Sequence, residues 1–203
     1  MQKNIRMFKA DWMEWFTHIH PVTPLLTWGP VAAFLFYRAF AVHGLAASEV
    51  VGIFFSGLLV WSLAEYSLHR FVFHYEFASH IGKRLHFIIH GVHHDDPEDP
   101  TRLVMAPPVA LVLALIFYPT FWVLMGVEYA DPFFASFVIG YLVYDYTHYA
   151  VHHIRPRTVI GRYLKQHHML HHFAMPDARY GVSSPLWDLV FSSMERKKVP
   201  AHH

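Results

Sequence analysis

The chain has 203 residues, 54% of them apolar and 15% charged, and its 16 basic and 15 acidic residues leave a net charge of +1. The charge balance excludes a basic nucleic-acid-binding surface, and the apolar fraction excludes a disordered chain. Cysteine is absent, which removes disulfides, thiolate metal sites, iron–sulfur clusters and cysteine nucleophiles, whereas histidine reaches 19 copies.

Residues 1–20 contain no uninterrupted apolar run, so no cleavable signal peptide is expected. Within them Ile5, Phe8, Trp12, Trp15 and Phe16 recur at helical spacing beside Lys3, Arg6 and Lys9. That pattern predicts a helix either in the membrane interface or packed on a cytoplasmic domain. Residues 25–42 form a first apolar span, about 27 Å of helix, whose single charge, Arg38, lies near the end and can snorkel. A second span covers 50–66. A third, 107–125, starts at Pro107 and Pro108 and contains Pro119, which should kink it. The fourth covers 133–150. Residues 43–49 and 126–132 are read as two short connecting loops, which makes two hairpins.

Neither loop contains Lys or Arg. Apart from Arg38, every basic residue lies in the N-terminal tail, in 70–102 or in 155–198. By the positive-inside rule, both termini and the central segment are cytoplasmic. The predicted fold is an all-α integral membrane protein with four transmembrane helices and a cytosolic helical cap. Residues 21–203 form the membrane domain and 1–20 an interfacial segment.

Fourteen histidines lie between 69 and 172, following the second and fourth spans. This topology brings them to one side of the bilayer. His69 and His74 are five apart, about 140° around an ideal helix, so they flank two ions or serve one if the helix unwinds there. His90, His93 and His94 form a triplet with offsets of three and four, able to feed two adjacent metals. His148 and His152 are an i, i+4 pair on one face. His168, His171 and His172 repeat the triplet. Ten imidazoles are too many for one ion but match two metals with five nitrogens each and one position left open. Zinc lacks redox chemistry, so a working oxidase of this type needs two irons, although zinc binds the same nitrogens.

His18, His20, His43, His202 and His203 are read as solvated, and His80, His86, His153 and His167 as non-ligands. Asp145, one turn before His148, and Glu65, one turn before His69, are candidate partners for the outer nitrogens of those rings. Asp95, Asp96, Glu98 and Asp99 read as a solvated turn. Tyr141 and Tyr144 are interfacial aromatics or substrate contacts.

The order HxxxxH, HxxHH, HxxxH, HxxHH resembles the fatty acid hydroxylase superfamily, which includes sterol oxidases and desaturases and carotenoid hydroxylases. The segments LHFIIHGVHHDDPEDPTRLVMAPP (85–108), YDYTHYAVHH (144–153) and YLKQHHMLHHFAMPDARYGVSSPLWD (163–188) are most similar to fatty acid and ceramide 2-hydroxylases. The resemblance implies a cytosolic dimetal cap over four spans and O2-dependent hydroxylation at C2 of an acyl chain, free or in a sphingolipid. Eukaryotic members commonly carry an N-terminal cytochrome b5-like domain, which the first 20-odd residues cannot form. A separate electron donor of cytochrome b5 or ferredoxin type is therefore expected, in a compact bacterial homologue of the inner membrane, or of the endoplasmic reticulum if eukaryotic. The alternatives are a sterol or carotenoid hydroxylase or desaturase, or a non-catalytic membrane metal-binding protein.

Overall fold

The computed structural model describes residues 5–75 and 77–195; His202 and His203 lie outside the described residues. The described residues form α-helices α1 (Asp11–Trp15), α2 (Thr23–Ala41), α3 (Ala47–Leu68), α4 (His80–His86), α5 (Val92–Asp95), α6 (Pro107–Met125), α7 (Val127–His153), α8 (Val159–Phe173) and α9 (Leu186–Val190), with no strand among them. Two π-helical segments, His69–Phe73 and Phe87–Gly91, follow α3 and α4.

The four long helices, α2, α3, α6 and α7, contain the four apolar stretches. α3 together with the π-segment that continues it to Phe73, and α6, are long and apolar enough to cross a membrane, and only 17% and 11% of their most apolar windows are buried within the protein. Apolar helices with so little protein around them need a lipid surface rather than water. α7 is the axis of the bundle, buried from Ala130 through Val138 and packed on α2, α3 and α6. Trp61 of α3 stacks edge-on to Phe137 and Tyr141, with centroids 4.9 and 5.5 Å away. Gly140 makes room for that indole, since a Cβ there would fall 2.6 Å from it.

One connection differs from expectation. Residues 127–132 are helical, and Gly126 alone joins α6 to α7, because its φ of +79° makes the turn in one residue. Pro119 lies inside α6, which runs on to Met125.

Among its described residues, the N-terminal segment is α-helical over α1. The Glu14 carboxylate accepts from the N–H groups of Met7 and Phe8 at 2.9 and 2.7 Å, so the chain folds back before α1 instead of extending it. The buried Arg102 side chain holds this strap, donating to Glu14 Oε1 at 2.5 Å, to the Ile5 carbonyl and to Thr17 Oγ1. Met7 is buried beneath it, while Trp12, Trp15 and Phe16 are exposed.

At the opposite end of the bundle, fully buried Asp131 binds Arg38 Nε at 3.0 Å, His43 Nε2 at 2.8 Å and Tyr118 Oη at 2.7 Å. His43 is thus not a solvated bystander, and Arg38 does not snorkel. Both are drawn inward by a carboxylate that burial would otherwise leave uncompensated. The acidic run is likewise only partly solvated: Asp96 and Asp99 are buried, and Asp99 Oδ1 accepts from Thr101 N and Oγ1.

Candidate metal centre

The histidines come from four places in the chain: the π-segment that follows α3, the α4–α5 segment, the end of α7, and α8. Between His69 and His74 the π-helix replaces the regular turn, and the His74 N–H reaches the His69 carbonyl at 3.1 Å. An i→i+5 repeat brings residues five apart back towards one face, so the two rings meet, with centroids 4.9 Å apart.

The ten histidines form two groups of five. One is His69, His74, His90, His94 and His171; the other is His93, His148, His152, His168 and His172. Within each group all donor atoms lie within 4.8 Å of one another. Each group takes one HxxxxH or HxxxH pair, the i, i+4 members of one triplet and the i+3 member of the other. The triplets therefore cross-feed the two groups. His80, His86, His153 and His167 fall outside both.

The Nε2–Nε2 separations test the fit to a metal. In the first group they are 3.2 Å for His69–His90 and His69–His74, and 3.0 Å for His90–His94 and His74–His171. In the second, His93–His148, His93–His172 and His168–His172 are 3.0 Å apart and His152–His168 2.9 Å. With metal–nitrogen bonds of about 2.1 Å, neighbouring ligands lie about 3.0 Å apart around an octahedral ion and about 3.4 Å around a tetrahedral one. Five nitrogens at octahedral spacing leave one position for another ligand.

The outer nitrogens show what orients the rings. His69 Nδ1 donates to the Tyr180 carbonyl at 2.5 Å and His171 Nδ1 to the Ala178 carbonyl at 2.7 Å, which leaves each Nε2 as a lone-pair donor. Both carbonyls belong to the 178–183 strap. Asp188, fully buried, accepts from Tyr180 N at 2.9 Å, Gly181 N at 2.8 Å and Ser193 Oγ at 2.7 Å, and faces His167 Nε2 at 3.2 Å. Arg179 donates to His167 Nδ1 at 3.1 Å, so the hydrogen of that ring is on the side of Asp188. Glu65 accepts from Val182 N and Ser183 N, both at 2.8 Å, and from Ser183 Oγ.

Glu65 therefore does not bind His69. It reaches past that ring to the strap whose carbonyl does. Asp145 does not bind His148 either: its oxygens accept from Met105 N at 3.3 and 3.4 Å, because the 103–106 chain crosses α7 there. Sequence reasoning missed Asp188, Tyr180, Ala178, Glu14 and Arg102. The only available signal was the SSPLWD wording around Asp188.

Electrostatics favours neutral imidazoles. Burial, then the mutual repulsion of neighbouring rings, holds His90, His93 and His168 well below the ordinary histidine range. The same causes bring His74 down to about 3 and His172 to about 2. His152 falls to about 3 through burial, then His153 and Lys165. Burial alone would raise Asp188, but the hydrogen bonds from His167, Ser193, Gly181 and Tyr180 outweigh it and hold this carboxyl below its usual value.

A cavity of about 360 Å³ reaches His90, His93 and His148. Its walls are mostly apolar, including Phe73, Ile89, Val104 and Val109, and the N-terminal strap closes one side with Met7 and Phe8. Its polar lining includes Thr17, Arg102, Tyr144 and Asp145. Tyr141, by contrast, lines a separate void of about 30 Å³ beside Trp28 and Trp61.

Residues 54–193 match the fatty acid hydroxylase family model. The chain is 35% identical to dihydroceramide fatty acyl 2-hydroxylase FAH1 of Arabidopsis thaliana, covering 96% of this chain and 82% of that protein. It is 34% identical to fatty acid 2-hydroxylase of Rattus norvegicus, over 94% of this chain and 56% of the relative. A solved structure titled full-length scs7p, with only the hydroxylase domain visible, superposes with a TM-score of 0.86 at 32% identity, covering 93% of this chain and 72% of that one.

Proposed function

The chain belongs to the fatty acid hydroxylase family, and from that premise we propose that it hydroxylates C2 of a lipid acyl chain with O2 at a pair of histidine-bound iron ions. It is a hydroxylase, hence an oxidoreductase, acting on lipid. The observation that carries the finer reading is two groups of five convergent imidazole nitrogens at octahedral spacing, both with a member on the wall of one apolar cavity.

In this reading His69, His74, His90, His94 and His171 hold one ion, and His93, His148, His152, His168 and His172 the other. Two irons held there supply the redox chemistry by which O2 and two electrons from a separate donor protein break an unactivated C–H bond. The chain's own residues do the rest. Burial keeps the rings unprotonated and ready to bind. The Tyr180 and Ala178 carbonyls fix the tautomers of His69 and His171, and Glu65 and Asp188 fix those carbonyls. The apolar walls exclude water and take the acyl tail, while Tyr144 and the other polar lining residues meet the head group. The site of hydroxylation then follows from the distance between head group and histidines. α2, α3, α6 and α7 span the membrane, with the cap and both termini on the cytoplasmic side.

The test is product analysis. Cells expressing the chain should accumulate 2-hydroxy acyl lipids, and acyl donors of different length should all be oxidised at C2. Oxygen that tracks the methyl end, or a double bond in its place, would reject the reading. Protein purified from iron-replete cells should carry two metals per chain, with zinc substituting where iron is scarce; full activity with one metal would overturn the paired site.

A further inference from the structure

A second hollow, of about 600 Å³, lies on the face of α7 that turns away from the histidines. The reaction cavity uses Tyr144, Asp145 and His148, whereas this groove uses Val143, Thr147, Ala150 and Val151 of the same helix. α7 thus partitions two hollows, and only one reaches the histidines. The groove runs from Ile139, within the proposed span, to Pro156, Gly161, Leu164 and Lys165 at the start of α8. Its lining is mostly apolar, with Tyr146 and Thr147 among it, and at that end Lys165 Nζ reaches the His152 and Ile154 carbonyls at 3.3 Å. Exposed Arg155 and Arg157 flank Pro156 on the rim, exposed Arg162 follows Gly161, and residues 154–176 contain no acidic side chain. Val159 and Ile160 are each 73% exposed beside these cations, the pattern of a helix lying at a membrane surface.

We propose that this groove binds an anionic phospholipid of the cytoplasmic leaflet, one acyl chain along α7 and the phosphate at Lys165, with Arg157 and Arg162 flanking. The inference rests on the reading of α7 as a membrane span given above. A largely apolar channel with cations at its end, at the depth of the head groups, complements an anionic lipid in both polarity and charge. The bound lipid would brace α8, which contributes His168, His171 and His172, against α7, which contributes His148 and His152.

The experiment is native mass spectrometry of the full chain released from bilayers of equal phosphatidylglycerol and phosphatidylcholine. Wild type should retain one phosphatidylglycerol in preference to phosphatidylcholine, and K165Q should lower that preference about fivefold, the effect of one cation near an anionic surface. V143W, which fills the groove at an exposed lining position and leaves the cations in place, should also release the lipid. The exposed pair R157Q/R162Q should weaken the preference in a chain whose melting in pure phosphatidylcholine is unchanged. Equal retention of the two lipids by wild type, undiminished preference in K165Q, or undiminished retention in V143W would each overturn the proposal. So would displacement of the lipid by glycerol phosphate, which would mark a site for a free phosphate. No turnover is read, so a chain that hydroxylated nothing would refute the proposed reaction without altering this result.

Discussion

Asp188→Asn tests whether the 178–183 strap sets the first histidine group. The carboxylate is fully buried, and each of its oxygens faces two donors: Oδ1 takes Tyr180 N and Ser193 Oγ, and Oδ2 takes Gly181 N and His167 Nε2. The amide keeps the shape but turns one acceptor into a donor, so two of these groups must face an N–H. At about 1–3 kcal/mol for each buried group left unsatisfied, the variant should lose about 2–6 kcal/mol of stability. The Tyr180 and Ala178 carbonyls then lose their fixed positions, and with them the anchors of His69 Nδ1 and His171 Nδ1. Removing a support of this kind lowers metal affinity about 10–100-fold. Of the second group, no outer nitrogen bonds to this strap among the described residues. Stepwise chelation followed by metal analysis should therefore show one ion released early and the other held as in wild type, with melting lowered in parallel. Retention of both ions at wild-type resistance would refute the reasoning, as would equal loss of both.

Three further outcomes follow from the geometry. His43→Ala should cost about 1–3 kcal/mol of stability, measured by thermal melting, because it strips a hydrogen bond from buried Asp131, yet the hydroxylated position should not move. Tyr144→Phe should slow turnover without moving the oxygen, whereas Tyr141→Phe, at the separate void, should leave KM for lipid unchanged; a KM effect at Tyr141 would mean that the lipid also occupies that void. Metal-free protein should lose stability as pH falls from about 6.5 towards 3. His74 and His152 have folded-state values near 3, so the unfolded chain takes up protons first; each such ring contributes up to about 1.4 kcal/mol per pH unit, read as melting temperature from pH 8 downward.

The histidine clusters were legible because spacing alone decides which rings share a helix face. The i, i+4 offset of His90 and His94 held although His90 lies in the second π-segment, and His148 with His152 and His168 with His172 needed only regular turns. His69 with His74 did not, since nothing in residue propensity announces a π-turn. Glu65 and Asp145 stand one turn from His69 and His148, as the spacing required, but both carboxylates took backbone N–H donors from distant segments. The acceptors that orient His69 and His171 are main-chain carbonyls, which any residue carries and no sequence pattern marks. The Arg102–Glu14 pair and the Arg38–His43–Asp131 cluster join residues about 90 positions apart, beyond the reach of local periodicity. The loop expected at 126–132 is absent because a single left-handed glycine, Gly126, makes the turn.

The crossed sharing of the two triplets has a consequence for assembly. The groups join the end of α3, the α4–α5 segment, the end of α7 and α8, elements separated by up to about a hundred residues, in a chain without a disulfide to close those loops. Ions bound as proposed would act as cross-links, restricting the unfolded cap as a covalent bridge would and closing two interlocked loops at once. Because each triplet feeds both loops, a change in the backbone of a triplet reaches both ions, whereas loss of a single ring's support reaches one. Inserting one residue between His90 and His93 would break both together, whereas the same insertion in the strap near Met7 would break neither.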